Sequence, residues 1–348
     1  MKKSSSGISR RVFIKGSAAT IGLGAISTFP FGKAFGDDFP SRNIHIVVAT
    51  GAGGGADKNL RAFNGVWKKY LKTEFQIDFF PGAAGQVGYE VFLGKREPDA
   101  YNLLFGNMDA ETIMYVLQKP NYKFPGDYVY FNRVDVDPSV IWVRADSPFK
   151  TIEDLVAEAK KRTVTLSVSR LPHPACIGTL ALAEATGAKF NLIPYGGGNP
   201  TVVAALTGEV DGSALPMANP ISAGEQARIL CVFSPKNLVP EKSNNAPTVN
   251  AVFGTKIPDL TSSRTFAIHT KAIEKYPERY EKLKSTMRKV FDDPDYKVAI
   301  EKTGRPFEFV SFADEKECME SANDIIELTN RYKALLSAKE EKSPKKKK

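Results

Sequence analysis

The feature that most constrains this chain is a glycine-rich loop between a strand pattern and a helix pattern. The apolar run Ile44–Val48 leads into Gly51-Ala52-Gly53-Gly54-Gly55, which has four glycines in five positions, and apolar residues recur at helical spacing after Asp57. Glycine has no Cβ, so a ligand can approach the backbone closely, and the free N–H groups of a helix start face negative charge. This layout is typical of an anion-binding site, and a tight turn without a ligand is the alternative.

Residues 1–36 are expected to be an export signal rather than part of the fold. Basic residues cluster at the start, an apolar run follows, and Ala34-Phe35-Gly36 has the small-x-small form of a cleavage site. The stretch Ser9–Lys15 resembles a twin-arginine signal, so we expect export to the periplasm with cleavage near Gly36. The alternative is an uncleaved membrane anchor, although the apolar run is short for a spanning helix.

The net charge of +9 resides in the two ends of the chain. The whole chain has 48 basic and 39 acidic residues, of which six basic residues lie in the leader and four at Lys345–Lys348. The remainder has 38 basic against 39 acidic residues and is therefore close to neutral. This balance argues against nucleic acid as a partner. We expect residues 339–348 to be a disordered basic tail.

Cysteine and histidine usage indicates neither a disulfide framework nor a metal centre. The three cysteines, Cys176, Cys231 and Cys318, each lie in an apolar pattern, which predicts buried thiols. The three histidines are scattered without the spacing of metal ligands. We therefore expect no metal and no cofactor.

Strand and helix patterns alternate along the chain. Strand patterns at 75–80 and 101–106 each precede a turn and a helix, and two further strands are predicted at 128–134 and 140–144. This alternation predicts an α/β fold in which mainly parallel sheets are flanked by helices.

The second part of the chain repeats the layout of the first, which indicates two lobes. One strand pattern ends at Ser169-Arg170, and another enters Tyr195-Gly196-Gly197-Gly198-Asn199 before a helix that begins near Pro200. Glycine loops from two lobes facing one cleft would surround a small anion with N–H donors, and closure would exclude water. The predicted boundaries are residues 37–144 plus 256–338 for lobe 1 and 145–255 for lobe 2.

An enzyme is the alternative function. The stretch Gly51-Ala52-Gly53-Gly54-Gly55-Ala56 fits the dinucleotide pattern G-x-G-x-x-A, and Asp78 follows at the distance of a ribose-binding acid. An exported NAD(P)-binding oxidoreductase that uses Gly51, Gly53 and Asp78 would have these features. Against it, Asp78 falls inside a strand pattern, and the chain shows no nucleophile or paired-carboxylate arrangement for catalysis.

Several stretches, taken in order along the chain, match one family of receptors. The first is Phe39–Val48, which leads into Gly53-Gly54-Gly55-Ala56-Asp57. The others are Pro81–Gly85, Pro98–Leu104, Pro194–Gly197, Leu206–Asp211, Ala246–Val249 and Thr303-Gly304. Together they extend over essentially the whole chain after the leader. In this ordered set the chain resembles the Bug family, the extracytoplasmic solute receptors of tripartite tricarboxylate transporters.

This resemblance implies a two-lobed periplasmic-binding-protein fold of the type II kind, which closes on its ligand like a Venus flytrap. It also implies that the protein is not an enzyme. The ligand would be a small organic carboxylate, delivered to the membrane permease subunits of the transporter, and a sensor kinase is an alternative partner. The receptor is expected to act as a monomer and to need no cofactor.

The resemblance further implies which residues bind the ligand. The family's first ligand loop corresponds to Thr50, Gly51, Gly53, Gly54 and Gly55. The other corresponding positions are Asn107, Ser169, Arg170, Gly196, Gly197, Gly198, Asn199 and Met217.

The chain departs from the family pattern in ways that imply an unusual substrate. Ala49, Thr50 and Ala52 stand where the first loop usually has a proline and an aromatic residue, and the loop Arg170–Pro174 is also unusual. One hypothesis is that the Arg170 guanidinium holds a ligand carboxylate, and a surface arginine is the alternative. On the first hypothesis, Arg170→Ala weakens carboxylate binding by at least about tenfold.

Overall fold

The computed structural model describes residues 38–340, and the predicted signal peptide and residues 341–348 lie outside that range. The strands are β1 (Ile44–Val48), β2 (Phe75–Phe79), β3 (Asn102–Asn107), β4 (Tyr128–Arg144), β5 (Val164–Val168), β6 (Phe190–Pro194), β7 (Gly212–Pro216), β8 (Ala227–Val232), β9 (Thr261–His269) and β10 (Val310–Ala313). The α-helices are α1 (Gly55–Leu71), α2 (Gln86–Lys95), α3 (Met108–Gln118), α4 (Ile152–Lys161), α5 (Pro174–Thr186), α6 (Gly198–Leu206), α7 (Ala218–Ser222), α8 (Val249–Phe253), α9 (Thr270–Lys275), α10 (Pro277–Phe291), α11 (Pro294–Glu301) and α12 (Glu315–Glu340).

Within the described residues the strands form one continuous sheet with the order β2-β1-β3-β9-β4-β7-β5-β6, and β8 and β10 also pair with β4. The outer strands at both ends are parallel, since β1 pairs with β2 and β3, and β5 pairs with β6 and β7. The central strands β4 and β9 run antiparallel to each other. We call the half around β1–β3 and β9, with its helices, the first lobe and the half around β5–β8 the second lobe. The molecule therefore has the two-lobed α/β fold that the sequence predicts.

Strand β4 runs through both halves of the sheet, whereas the sequence predicts two separate strands there. Its first part pairs with β9 as far as Pro138, and its last part pairs with β7 and β8. The stretch Asp135-Val136-Asp137-Pro138 has the composition of a turn. Both aspartates are nevertheless buried against arginine side chains, which keeps them within the strand. The lobes are consequently joined by sheet backbone rather than by a loop.

Apolar side chains cover the sheet in both lobes. In the first lobe, Trp67 of α1 stacks on Phe75 and packs edge-on against Phe266 of β9. In the second lobe, Trp142 of β4 is fully buried in an apolar cluster of that lobe. The three cysteines are buried free thiols, as the sequence predicts. Among residues 38–340, no helix combines the length and the apolar character needed to cross a lipid bilayer.

The last helix, α12, packs against both lobes. Cys318 and Ala322 belong to a core cluster of the first lobe, whereas Ile325 and Leu328 belong to the main cluster of the second lobe. The helix continues to Glu340, so the first two positions of the predicted basic tail are helical. A helix that contacts both lobes adds a second connection beside the shared sheet.

Candidate functional site

The loops that follow strands of both lobes enclose a cavity of about 1200 Å³. The first lobe contributes the glycine loop between β1 and α1 and the turn before α2. The second lobe contributes the loops after β5 and β6. The cavity thus lies at the carboxyl ends of parallel strands, the usual position of ligand sites in α/β sheets.

Two helices begin at this cavity without a side-chain cap. The N-cap of α1 is Gly54 and that of α6 is Gly197, and neither residue can supply a capping side chain. The N–H groups of the first turns are therefore available to a ligand, and the positive ends of both helix dipoles lie at the cavity. The arrangement favours an anion held between the two lobes.

The glycine loops of the two lobes approach each other across the cavity. A Cβ atom at Gly53 would lie 2.8 Å from Nδ2 of Asn199, and a Cβ atom at Gly198 would lie 4.0 Å from the backbone nitrogen of Gly55. Gly53 also has a φ of +77°, which residues with a side chain rarely adopt. Both its conformation and the space around it therefore require glycine at position 53.

The structure brings most of the predicted site residues to the cavity wall. These are Thr50, Gly51, Gly54, Gly55, Asn107, Ser169, Arg170, Gly196, Gly197 and Gly198. Gly53 and Asn199 lie in the same loops and face each other instead. Met217 is not part of the wall, because its side chain is fully buried in the second-lobe core with Val140 and Trp142.

Arg170 belongs to the cavity wall and is not an exposed surface arginine. It is only 8% exposed, its Nη1 donates to the carbonyl oxygen of Ala84 at 2.6 Å, and its Nη2 lies 3.4 Å from Oε1 of Glu111. Glu111 also accepts hydrogen bonds from the Tyr89 hydroxyl at 2.8 Å and the Asn107 N–H at 3.0 Å. Burial raises the pKa of Tyr89, so this hydroxyl stays protonated. Arg170 therefore ties the loop after β5 to the first lobe.

His173 lines the cavity as the N-cap of α5. Its Nδ1 accepts a hydrogen bond from the Ala175 N–H at 3.1 Å, and its Nε2 lies 3.3 Å from Oγ of Ser262. Burial lowers the pKa of His173 well below its usual value, and the charges of Arg170 and Arg264 lower it further. The ring is therefore neutral, and the hydrogen bonds assign its proton to Nε2. Both ring nitrogens are used in holding the fold.

A buried ion cluster next to the cavity was not found from the sequence. Nη1 of Arg264 lies 3.1 Å from Oδ2 of Asp135 and 3.0 Å from Oδ2 of Asp137. Nη2 of Arg305 lies 2.8 and 3.0 Å from the same two oxygens. Burial raises the pKa of Asp135 although both guanidinium groups oppose the rise. The alternation Asp135-Val136-Asp137 between two strand patterns was the signal that could have revealed this cluster.

Two other parts of the cavity wall were not predicted from the sequence. The turn Pro81–Gly85 lines it, and so does Asn219 of α7. The glycines of the turn repeat the composition of the first loop, which was the available signal. Asn219 follows Met217 by two positions, so the prediction chose a neighbouring residue.

The residues assigned to the oxidoreductase alternative do not form a dinucleotide site. Asp78 lies within β2, at the edge of the sheet, where its Oδ2 pairs with Nη2 of Arg96 at 2.8 Å. It is absent from the cavity wall that Gly51 lines. Asp78, which the oxidoreductase alternative needs to bind ribose, is therefore paired with Arg96 away from the cavity. The oxidoreductase function is not supported.

Known proteins similar in sequence to this chain include UPF0065 proteins and a Bug protein. A UPF0065 protein of Cupriavidus necator is 27% identical over 298 residues, which is 84% of this chain and 86% of that protein. Protein BugT of Bordetella pertussis is 26% identical, over 67% of this chain and 71% of its own length. A UPF0065 protein of Agrobacterium vitis is 29% identical over 50% of this chain, which spans about half (51%) of that relative.

Solved structures share the fold. A protein of R. palustris, solved with adipate, superimposes with a TM-score of 0.76 at 19% identity, covering 86% of this chain and 99% of its own.

Residues 61–339 match the family model described as the tripartite tricarboxylate transporter family receptor, TctC. The resemblance noted in the sequence is thereby confirmed. The chain belongs to the TctC family of tripartite tricarboxylate transporter receptors.

Proposed function

We propose that this protein is a periplasmic receptor that binds a small organic carboxylate between its lobes and delivers it to the permease of a tripartite tricarboxylate transporter. The observation that carries the proposal is the convergence of two uncapped helix starts, from opposite lobes, on one cavity. Such N–H groups bind a carboxylate through oriented partial charges. The similar R. palustris protein solved with adipate supports an organic acid as the ligand.

The cavity walls support an acid with a sizeable apolar body. Leu171, Ile193 and Leu215 of the second lobe line a volume of about 1200 Å³, which is above the usual range for small-molecule sites. Leu171 and Leu215 are already buried, whereas Ile193 is half-buried, and an apolar body would cover its exposed part while the carboxylate lies at the helix starts. Aromatic acids and medium-chain dicarboxylates should therefore bind more tightly than malate.

Binding and release need movement of one lobe against the other. The lobes share β4, and the contacts between them at the cavity include those of Arg170 and the approach of Asn199 to Gly53. Bending within this shared strand would open the cavity. The lobe boundaries at residues 144–145 and 255–256 are part of this proposal.

In the cell, the proposed receptor would be exported and would work with membrane proteins. The leader would direct export through a twin-arginine signal with cleavage near Gly36, and the receptor would act as a monomer on the permease subunits. A sensor kinase is the alternative partner. The protein would release its ligand unchanged, since its cavity residues bind without a catalytic set.

A thermal-shift screen tests the proposal. The purified chain is heated with adipate, malate, benzoate and terephthalate, each with its primary amide as the uncharged control, and with NAD and NADP. An acid present at about 100 times its Kd stabilises the native state by about 2.7 kcal/mol, which clearly raises the Tm. A response to a nicotinamide cofactor without a response to any acid would refute a carboxylate receptor.

A further inference from the structure

The ion cluster beneath Gly55 leaves part of one arginine unused. Nη1 of Arg264 makes the contacts with Asp135 and Asp137, whereas Nε has no hydrogen-bond partner among the described residues. Nη2 of Arg264 lies 3.2 Å from the position of a Cβ atom on Gly55, which is the first residue of α1. The side chain is 2% exposed, yet Arg264 belongs to the cavity wall. A buried guanidinium with free N–H groups therefore lies where α1 begins.

Positive charge is concentrated at this helix start. The N-terminus of α1 carries the positive end of the helix dipole, and Nη1 of Arg305 also lies 3.2 Å from the same Cβ position. Asp57 in the first turn is already engaged, because its carboxylate accepts from the Gly53 N–H at 2.8 Å and from Nε of Arg61 at 2.7 Å. Asp135 and Asp137 contact Nη1 of Arg264 and Nη2 of Arg305, whereas the other Nη atom of each arginine lies beside Gly55. An anion in the cavity would therefore meet the positive end of the helix and guanidinium nitrogens that the two aspartates do not contact.

We infer that Arg264 is the side chain that recognises the ionised carboxylate of the ligand, by donating from its free N–H groups beside the start of α1. This inference deepens the proposed function and rests on it. It gives Arg264 the role that the sequence suggests for Arg170. Arg170 instead uses its guanidinium between Ala84 and Glu111, within the protein.

Arg305 provides a matched control inside the same cluster. Its Nη2 contacts the same two aspartate oxygens as Arg264, and its side chain is similarly buried, at 4% exposure. Arg305 is not part of the cavity wall. A purely structural role of the cluster would therefore make the two arginines respond alike to the same substitution.

The experiment compares Arg264→Lys with Arg305→Lys by isothermal titration. The probe is whichever of adipate, malate, benzoate and terephthalate gives the largest thermal shift, together with its primary amide. Arg264→Lys keeps a positive charge and should weaken acid binding about ten- to hundredfold, since it removes charge-assisted hydrogen bonds. It should leave amide binding nearly unchanged, so the acid-to-amide preference falls. Arg305→Lys should change that preference by less than about threefold.

Equal losses in the two lysine variants, or an unchanged acid-to-amide preference in Arg264→Lys, would overturn the inference while leaving a carboxylate receptor in place. If no acid binds the wild-type chain, the proposed function fails and the inference falls with it. A second test, for the case that Arg264→Lys does not fold, is Gly55→Ala. Its new Cβ would lie 3.2 Å from Nη2 of Arg264 and from Nη1 of Arg305, and the Arg305→Lys variant measures the part due to Arg305. Gly55→Ala should lower the acid preference more than Gly54→Ala, whose Cβ has 3.6 Å of space. Equal effects there would also overturn the inference.

Discussion

Replacing Arg170 by methionine tests the contact between the two lobes. Methionine keeps an unbranched side chain but removes the guanidinium group. The hydrogen bond to Ala84 and the ion pair with Glu111 are then lost together. Glu111 becomes a buried carboxylate whose remaining donors are the Tyr89 hydroxyl and the Asn107 N–H.

The expected cost follows from these contacts. Breaking a buried ion pair by removing one partner costs about 3–5 kcal/mol when the other charge is left uncompensated. Here the Nη2–Oε1 separation of 3.4 Å is long and Glu111 keeps two donors. The loss of stability should therefore not exceed about 3 kcal/mol, the lower end of that range. We expect Arg170→Met to lower the free energy of unfolding by about 2–3 kcal/mol, including about 1 kcal/mol for the Ala84 hydrogen bond.

A double-mutant cycle separates the ion pair from the rest of the change. Glu111→Gln keeps an acceptor for the Asn107 N–H while removing the charge. The loss of stability caused by Arg170→Met should therefore be at least about 1 kcal/mol smaller when residue 111 is already glutamine. Urea unfolding followed by tryptophan fluorescence measures this, since Trp67 reports on the first lobe and Trp142 on the second. A coupling energy below about 0.3 kcal/mol would refute the lobe-to-lobe ion pair as a stabilising contact.

Three further predictions use single positions. Burial raises the pKa of Asp109 from 3.8 to about 6, so the folded state holds the extra proton and the free energy of unfolding falls as pH rises from about 4 to about 6. Asp109→Asn should flatten this slope and add up to about 3 kcal/mol at pH 7, measured by urea unfolding at both pH values; an unchanged slope would contradict it. Burial lowers the pKa of His173, so its contribution to stability is present above pH 6.5 and is lost as the pH falls below that value. His173→Asn, which keeps a capping acceptor, should lose less stability than wild type between about pH 6.5 and pH 5 in thermal melts; equal losses would count against a buried neutral ring. Gly53→Ala should cost about 1 kcal/mol for its positive φ, and the clash with Asn199 should weaken binding of the best acid from the screen. Adding Asn199→Ala should restore part of that affinity, whereas no recovery would show that the two loops do not meet in solution.

Local patterns predicted the elements that local forces determine. The glycine loop, the helix that follows it and the second loop at Gly196–Gly198 were placed correctly, because glycine content and helical spacing act over a few residues. The continuous strand β4 was missed, because its two aspartates have the composition of a turn in the local sequence. In the fold they pair with Arg264 and Arg305, which come from distant parts of the chain. Met217 was misplaced for a related reason. The chain enters α7 directly after it, and tertiary packing decides that Asn219 rather than Met217 reaches the cavity.

The neighbour of β3 in the sheet is β9, and this pairing determines the order in which the molecule can assemble. Asn107 pairs with Arg264, so the entire sequence of the second lobe must be synthesised before β3 meets its inner partner. In the second lobe, β5 pairs with β6 and β7, which are close to it in sequence and can associate earlier. Contacts between distant segments form slowly because long loops must close first. A nascent chain stopped before Thr261 would therefore expose one edge of β3 and the face of α1 that packs against α10 and α11 in the complete fold.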